Sequence, residues 1–281
     1  MAADNLFGRV IKVSISGKYS TTFSNEDLEI RFESPFDDDA KPNESKVEIY
    51  NLSNDSIHRM TRGDTCTIQA GYKGDYGVIA SGKISRILTR REGVDKITAI
   101  YFLEGEDYSR IKVTSKTADP AKKGKKQSLK ITFKAGTHGS TIIKKLCSIL
   151  GIKLAEFKLP KDVVYKKGYT VTGLILNNLE EVVHDCKASM YYRRGRLVIR
   201  SIKEGNDERF VLNEETGLIG SPEPFEEDGV KGYKVKCLLQ HRITVASIIE
   251  IKSKTAKGKY RVRKGTHTAN GSDFLSDFEV I

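Results

Sequence analysis

The feature that most constrains this chain is a period of two. Short runs of alternating apolar residues recur through its first hundred positions. Val13 and Ile15 share one face of a run over 10–15, followed by Leu28, Ile30 and Phe32, by Val47 and Ile49, by Cys66, Ile68 and Ala70, and by runs over 84–88 and 97–103. Alternation sends successive side chains to opposite faces of a strand, so one face packs on a core while the other meets water. Turn-forming stretches separate the runs. Gly71-Tyr72-Lys73-Gly74-Asp75-Tyr76-Gly77 is one, with glycines that tolerate positive φ. Six or more strands in about 100 residues predict a closed or nearly closed barrel, an arrangement that leaves few sticky edges. One short helix, over 54–61, interrupts them. Ser53 is its N-cap and Arg62-Gly63-Asp64 its end.

Beyond residue 110 the charge changes. Of 48 Lys+Arg and 37 Asp+Glu, residues 111–210 hold 22 and 9, so the net charge of +11 resides almost wholly in the middle third. Residues 115–128 include Lys122, Lys123, Lys125 and Lys126, four like charges with little apolar surface, which predict an exposed mobile loop. A short strand over 129–133 follows. The apolar period then lengthens to that of a helix. Ile142, Ile143, Leu146, Ile149 and Leu150 share a face, with Thr137 or Ser140 as cap and Gly151 as the residue past the end. After a linker with Pro160, a second helix is expected over 172–187, burying Leu176, Leu179, Val183 and Cys186. Met190 to Ile199 then reads as a hairpin turning at or near Arg194-Gly195. The last eighty residues return to strands at 210–212, 233–239, 247–251 and 260–263, with Ser221–Gly229 a loop by composition.

The fold class is therefore mainly β with an α/β insert. Residues 1–112 form an N-terminal barrel, 113–136 a basic loop and strand, 137–201 the insert, and 202–281 a second barrel completed by 97–135. A length of 281 residues suits about two domains. The first ten residues carry Asp4 and no apolar core of a signal peptide, and no run approaches the ~18 apolar residues of a membrane span, so folding in a cytoplasm is expected. Cys66, Cys147, Cys186 and Cys237 are scattered without a C-x-x-C pair. They read as small buried hydrophobes, not as disulfide or zinc ligands.

No catalytic constellation emerges. The five histidines include no metalloprotease or deaminase spacing. His184-Asp185-Cys186 lies on a helix, where residues one and two apart do not face each other. Gly71 to Gly77 spells G-x-x-G-x-x-G, but a strand follows it, whereas a phosphate loop would open a helix. Asp37–Asp39 and Glu226–Asp228 lack the spacing of a calcium loop. Arg62-Gly63-Asp64 is explained as a helix end. Catalytic, cofactor and metal sites are all expected to be absent. The remaining candidate is a basic patch for a partner: Lys122, Lys123, Lys125, Lys126, Lys166, Lys167, Arg193, Arg194 and Arg196. Tyr165, Tyr169, Tyr191 and Tyr192 are interleaved, a pattern that also suits single-stranded nucleic acid.

Four stretches carry a resemblance. They are Lys46-Val47-Glu48-Ile49-Tyr50-Asn51-Leu52-Ser53 with its short helix and Gly63-Asp64; Ala70 to Ile84; the helix–helix–hairpin unit over 137–199; and Thr216-Gly217-Leu218-Ile219-Gly220-Ser221-Pro222 with Gly258-Lys259-Tyr260-Arg261-Val262 and His267. In this order they resemble the baseplate hub proteins of phage tails, of the T4 hub and late control protein D types. The resemblance implies two barrels related to the tail-tube fold, and a ring of three copies that imitates a hexameric tube layer. It implies as partners the tail tube protein, the spike protein, the tape-measure protein and other baseplate proteins, with DNA passing through the channel, and a place in the virion. It brings no catalytic residues. Two alternatives stay open: another ring component of the distal tail type, and a nucleic-acid or cell-wall-binding module, since the insert loosely resembles small peptidoglycan-binding folds.

Overall fold

A computed structural model describes residues 6–105, 108, 111–113, 130–205, 209–227 and 229–281. The first part is a run of strands: β1 (Arg9–Ser16), β2 (Ser20–Ser24), β3 (Ile30–Phe36), β4 (Glu44–Tyr50), β5 (Thr65–Tyr72), β6 (Asp75–Glu92) and β7 (Asp95–Leu103). Helix α1 (Asn54–Arg59) lies between β4 and β5, and the Ser53 side chain accepts the Ser56 N–H as its cap. The alternation seen in the sequence is the alternation of burial. Val13, Ile15, Val47, Ile49 and Ile68 are buried, while Ser14, Glu48 and Thr67 on the opposite face are only half-buried. The glycine-rich stretch is the tight turn between β5 and β6, with Gly74 at φ 85°.

The middle part holds β8 (Ile131–Phe133), β9 (Thr137–His138), α2 (Gly139–Leu150), β10 (Leu154–Phe157), β11 (Val164–Tyr165), β12 (Tyr169–Val171), α3 (Ile175–Asp185), β13 (Ser189–Arg193) and β14 (Arg196–Arg200). The final part holds β15 (Arg209–Leu212), β16 (Leu218–Glu227), β17 (Val230–Leu238), β18 (Ile248–Lys252), β19 (Lys257–Ala269) and β20 (Phe274–Val280).

One 13-stranded sheet runs through both outer parts, in the order β16-β17-β20-β19-β3-β4-β7-β6-β5-β1-β2, with β18 and β15 branching from β19. The halves join where β19 pairs antiparallel with β3, from Gly265 opposite Phe36 to Ala269 opposite Phe32. Residues 97–103 pair inside the first half, with β4 and β6. No closed barrel is found among the described residues: the pairing path ends at β16 and at β2. Strand count and spacing cannot distinguish a closed sheet from an open one, because closure depends on which two distant strands meet.

Three hydrophobic cores result. The first lies under the N-terminal strands, yet takes Leu239, Ala269 and Phe274 from the far end of the chain. The second lies between α2, α3 and the β13–β14 hairpin. The third fills the last part and takes Phe36 from β3. His267 is 2% exposed. Its Nδ1 lies 2.8 Å from Ser276 Oγ, its Nε2 lies 2.9 Å from the Ile243 carbonyl, and its ring lies 4.9 Å from that of Phe36. Burial lowers its pKa to about 4, so the ring is neutral at pH 7.

Several expectations change. The stretch Ser221–Gly229, expected to be a loop, mostly belongs to edge strand β16. Pro222 sits where the register shifts between Ile219 and Glu223, and a proline on a sheet edge sacrifices no ladder hydrogen bond. Helix α3 is shorter than 172–187, because Gly173 at φ 71° and strand β12 precede it. Helix α2 begins after His138, and neither Thr137 nor Ser140 is its N-cap. Helix α1 stops at Arg59, two residues before Thr61. Strand β8 begins at Ile131, while Leu129 lies outside the described residues.

Candidate assembly site

The point where the cores meet is the β13–β14 hairpin. Alternation on this hairpin serves two cores at once. Met190, Tyr192, Leu197 and Ile199 face the helices, while Tyr191 and Val198 face the core of the last part. Tyr191 and Tyr192 point to opposite faces and both are buried, at 1% and 3% exposure. Burial raises the Tyr191 pKa to about 12. The hairpin turns on Arg194 and Gly195, both at positive φ (50° and 80°), the conformation of a tight two-residue turn.

That turn docks on the first part of the chain. The carboxyl of Glu104, at the end of β7 and 4% exposed, accepts the Gly195 N–H at 2.9 Å. Arg194 Nη2 donates to the His241 carbonyl at 3.0 Å. The fit is close: a Cβ on Gly195 would lie 2.6 Å from the Ser81 carbonyl, and one on Gly105 would lie 2.3 Å from the Tyr192 ring. Beside it, Arg242 after β17 binds Asp75 at the β5–β6 turn, with Nη2 to Oδ1 at 2.6 Å. Burial disfavours the Asp75 charge, but Arg242 prevails and holds the carboxyl below its ordinary pKa. Asp75, Glu104, Gly105, His241 and Arg242 carried no signal in the sequence, since Asp75 and Arg242 are 167 positions apart and Glu104 and Gly195 are 91 apart.

The predicted basic patch is divided. Lys122, Lys123, Lys125 and Lys126 lie outside the described residues. Lys166 and Lys167 are exposed on the β11–β12 link, whose Gly168 lies against the backbone of 133–135. Arg193, Arg194 and Arg196 belong to the hairpin tip at the junction of cores. Lys166 and Lys167 therefore sit on a different connection from the arginines, and Arg194 is a structural clamp.

Serine, histidine and aspartate do come together at His138, Ser140 and Asp162. The order is wrong for a nucleophile. Asp162 accepts the Ser140 N–H on Oδ1 at 2.8 Å and the Ser140 hydroxyl on Oδ2 at 2.7 Å, and His138 Nδ1 lies 3.4 Å from that same Oδ2. The aspartate caps α2 from another segment and accepts the serine hydroxyl directly, so no histidine stands between them as a base. Asp162→Ala should therefore cost about 1 kcal/mol of stability, read as a lowered denaturation midpoint. An unchanged midpoint would show that the cap is idle. His184 is exposed and Cys186 buried, and all four cysteines are free and buried. No group of His, Cys, Asp and Glu suited to a metal occurs among the described residues, nor any helix long and apolar enough to cross a membrane.

The two sheet ends differ in character. Edge strand β2 is polar, Ser20-Thr21-Thr22-Phe23-Ser24. Edge strand β16 is exposed along most of its length and carries Glu223, Glu226 and Glu227 with two prolines. Short, charged or proline-bearing edges discourage indiscriminate strand addition, and leave pairing to a partner of matching shape.

A family model described as baseplate hub gp41 matches residues 110–265, more than half of the chain. The chain belongs to that family. It is a phage baseplate hub-type protein, a component of the phage tail. Solved structures agree at the level of fold. The prophage MuSo2 43 kDa tail protein of Shewanella oneidensis superposes with a TM-score of 0.65 at 9% identity, over 98% of each chain. A tail protein of Neisseria meningitidis MC58 gives 0.65 at 7%, over 98% of the hub and 96% of its own chain. The E. coli c3393 protein gives 0.65 at 9%, over 96% and 76%. It is described as a type VI secretion system component structurally similar to T4 bacteriophage tail proteins gp27 and gp5. No curated protein matches the hub in sequence. Identities this low with superposition this complete mean that pattern and packing persist where residues do not.

Proposed function

We propose that three copies of this chain close into a ring that joins the tail tube to the central spike. The observation that carries this reading is the continuous sheet spanning both outer parts of the chain, open at β2 and at β16. A ring of such subunits gives every edge a neighbour, and closed symmetry keeps growth finite. In this reading the two halves supply six tube-like units per ring, and the insert over 137–201 braces them. One face meets the tube protein and the other the spike protein. The tape-measure protein and other baseplate proteins are further contacts, and DNA passes through the channel. The role needs no catalysis, and assembly takes place in the host cytoplasm before the virion is complete.

The test is mixing the purified protein with its tube and spike proteins, followed by sedimentation and negative-stain microscopy. Rings of three copies with a central pore are expected. A protein that stays monomeric at high concentration and binds neither partner overturns the proposal.

A further inference from the structure

Besides packing on Ala40 of the β3–β4 connection, the insert meets the first part of the chain through the tip of its hairpin, in a small, specific contact. Its hairpin tip is held by a buried carboxyl on a strand end 91 positions away, by an arginine on a backbone carbonyl, and by two glycines that let main chain and ring come together. We propose that Glu104 and the Arg194–Gly195 turn form a latch between the insert and the first half of the sheet, and that loss of a proton from Glu104 loosens it.

The reasoning begins with solvation. A carboxyl at 4% exposure pays heavily for a negative charge, because the protein offers less than water does. Burial is the largest influence on Glu104 and drives its pKa up, from 4.5 to about 7. Two backbone N–H groups, of Gly195 and Arg194, work the other way by donating to the charged form, and they fall short. From the β3–β4 connection Asp37 adds like charge, its own carboxyl pushed up by burial. Asn43 comes from the same connection. Its Nδ2 meets no hydrogen-bond geometry, though its proximity favours ionisation slightly. The hairpin contributes the Arg194 side chain, committed to the His241 carbonyl, and the Tyr192 ring against Gly105. Lys83 of β6 is turned to Thr65. Glu106 and Asp107 lie outside the described residues.

Undocking the hairpin gives Glu104 back to water, where its ordinary acidity returns. Each proton lost in the docked state therefore favours opening. The opening equilibrium should rise by up to a few hundred-fold between about pH 4.5 and pH 8. A hub that must adjust when a neighbour binds would then have a joint that is firm in acid and loose near neutrality.

Hydrogen exchange of the Gly195 amide, followed by NMR on the full chain and corrected for intrinsic base catalysis, tests this directly. Its protection should fall at least tenfold from pH 5.5 to pH 8, while core amides such as those of Val47 and Val183 lose much less. Glu104→Gln keeps an acceptor of the same shape without a titrating proton, so its Gly195 protection should be independent of pH. If native Gly195 protection is flat across that range, or if Glu104→Gln shows the same fall as the native chain, the latch is wrong. If the variant misfolds, the native profile alone still decides.

Discussion

Tyr191→Ala should cost about 3–5 kcal/mol, the range for emptying a fully buried aromatic site. The ring is 1% exposed and is the largest side chain that the hairpin puts into the core of the last part of the chain. Tyr192→Ala should be of similar size, but damage the other side. That ring belongs to the core of α2 and α3 and also abuts Gly105. Denaturant midpoints would register both losses, and hydrogen exchange would separate them. Tyr191→Ala should loosen amides around Leu212 and Val235, whereas Tyr192→Ala should loosen those around Ile143 and Val183. A cost under about 1 kcal/mol for Tyr191→Ala would mean that the hairpin is not the wall between the two cores.

The second large effect concerns pH. Glu104 has its pKa raised from 4.5 to about 7, so its share of stability is complete below 4.5 and is lost as pH rises through about 7. His267 has its pKa lowered from 6.5 to about 4, so its share is complete above 6.5 and is lost as pH falls through about 4. Each share amounts to about 3 kcal/mol, and the two run in opposite directions. Together they should leave native stability nearly level between pH 4 and pH 8. Glu104→Gln removes one limb only. Its stability should then climb with pH by about 3 kcal/mol over that interval, measured by urea unfolding at fixed salt. A variant whose profile runs parallel to the native one would show that Glu104 does not titrate as its burial requires.

Much of the architecture was legible in the residues, and the reasons are local. Val13, Val47 and Ile68 alternate because strands have a period of two. Ile142, Ile143 and Leu146 recur because helices have a period near 3.6, and Gly151 and Gly74 stand where φ must be positive. Composition misled at Ser221–Gly229. Two prolines and four acids read as a loop, but the sheet edge tolerates prolines and outward-facing charges, since such groups there need no ladder partner. The helix cap at Ser140 was misread for a related reason: the capping carboxylate comes from Asp162, a different segment.

The candidate site was far less visible. Counting lysines and arginines found a basic middle third, but grouped residues that belong to different elements. Arg194 is spent on a carbonyl of another part of the chain, while Lys166 and Lys167 sit on a different link. Nothing in the sequence marked Glu104 or Asp75, because a carboxyl's role there depends on what arrives from 91 or 167 positions away.

The sequence alone thus determined most of the kinds of element and their order, since these rest on periodicity and turn chemistry within a few residues, while the class of protein was legible only through the resemblance to baseplate hubs. Only the tertiary structure decided that β3 and β19 weld the halves into one open sheet, that the hairpin divides two cores, and that a buried acid holds its tip. Those are meetings between distant segments, and their energies come from desolvation and close packing that arise only once the chain has folded.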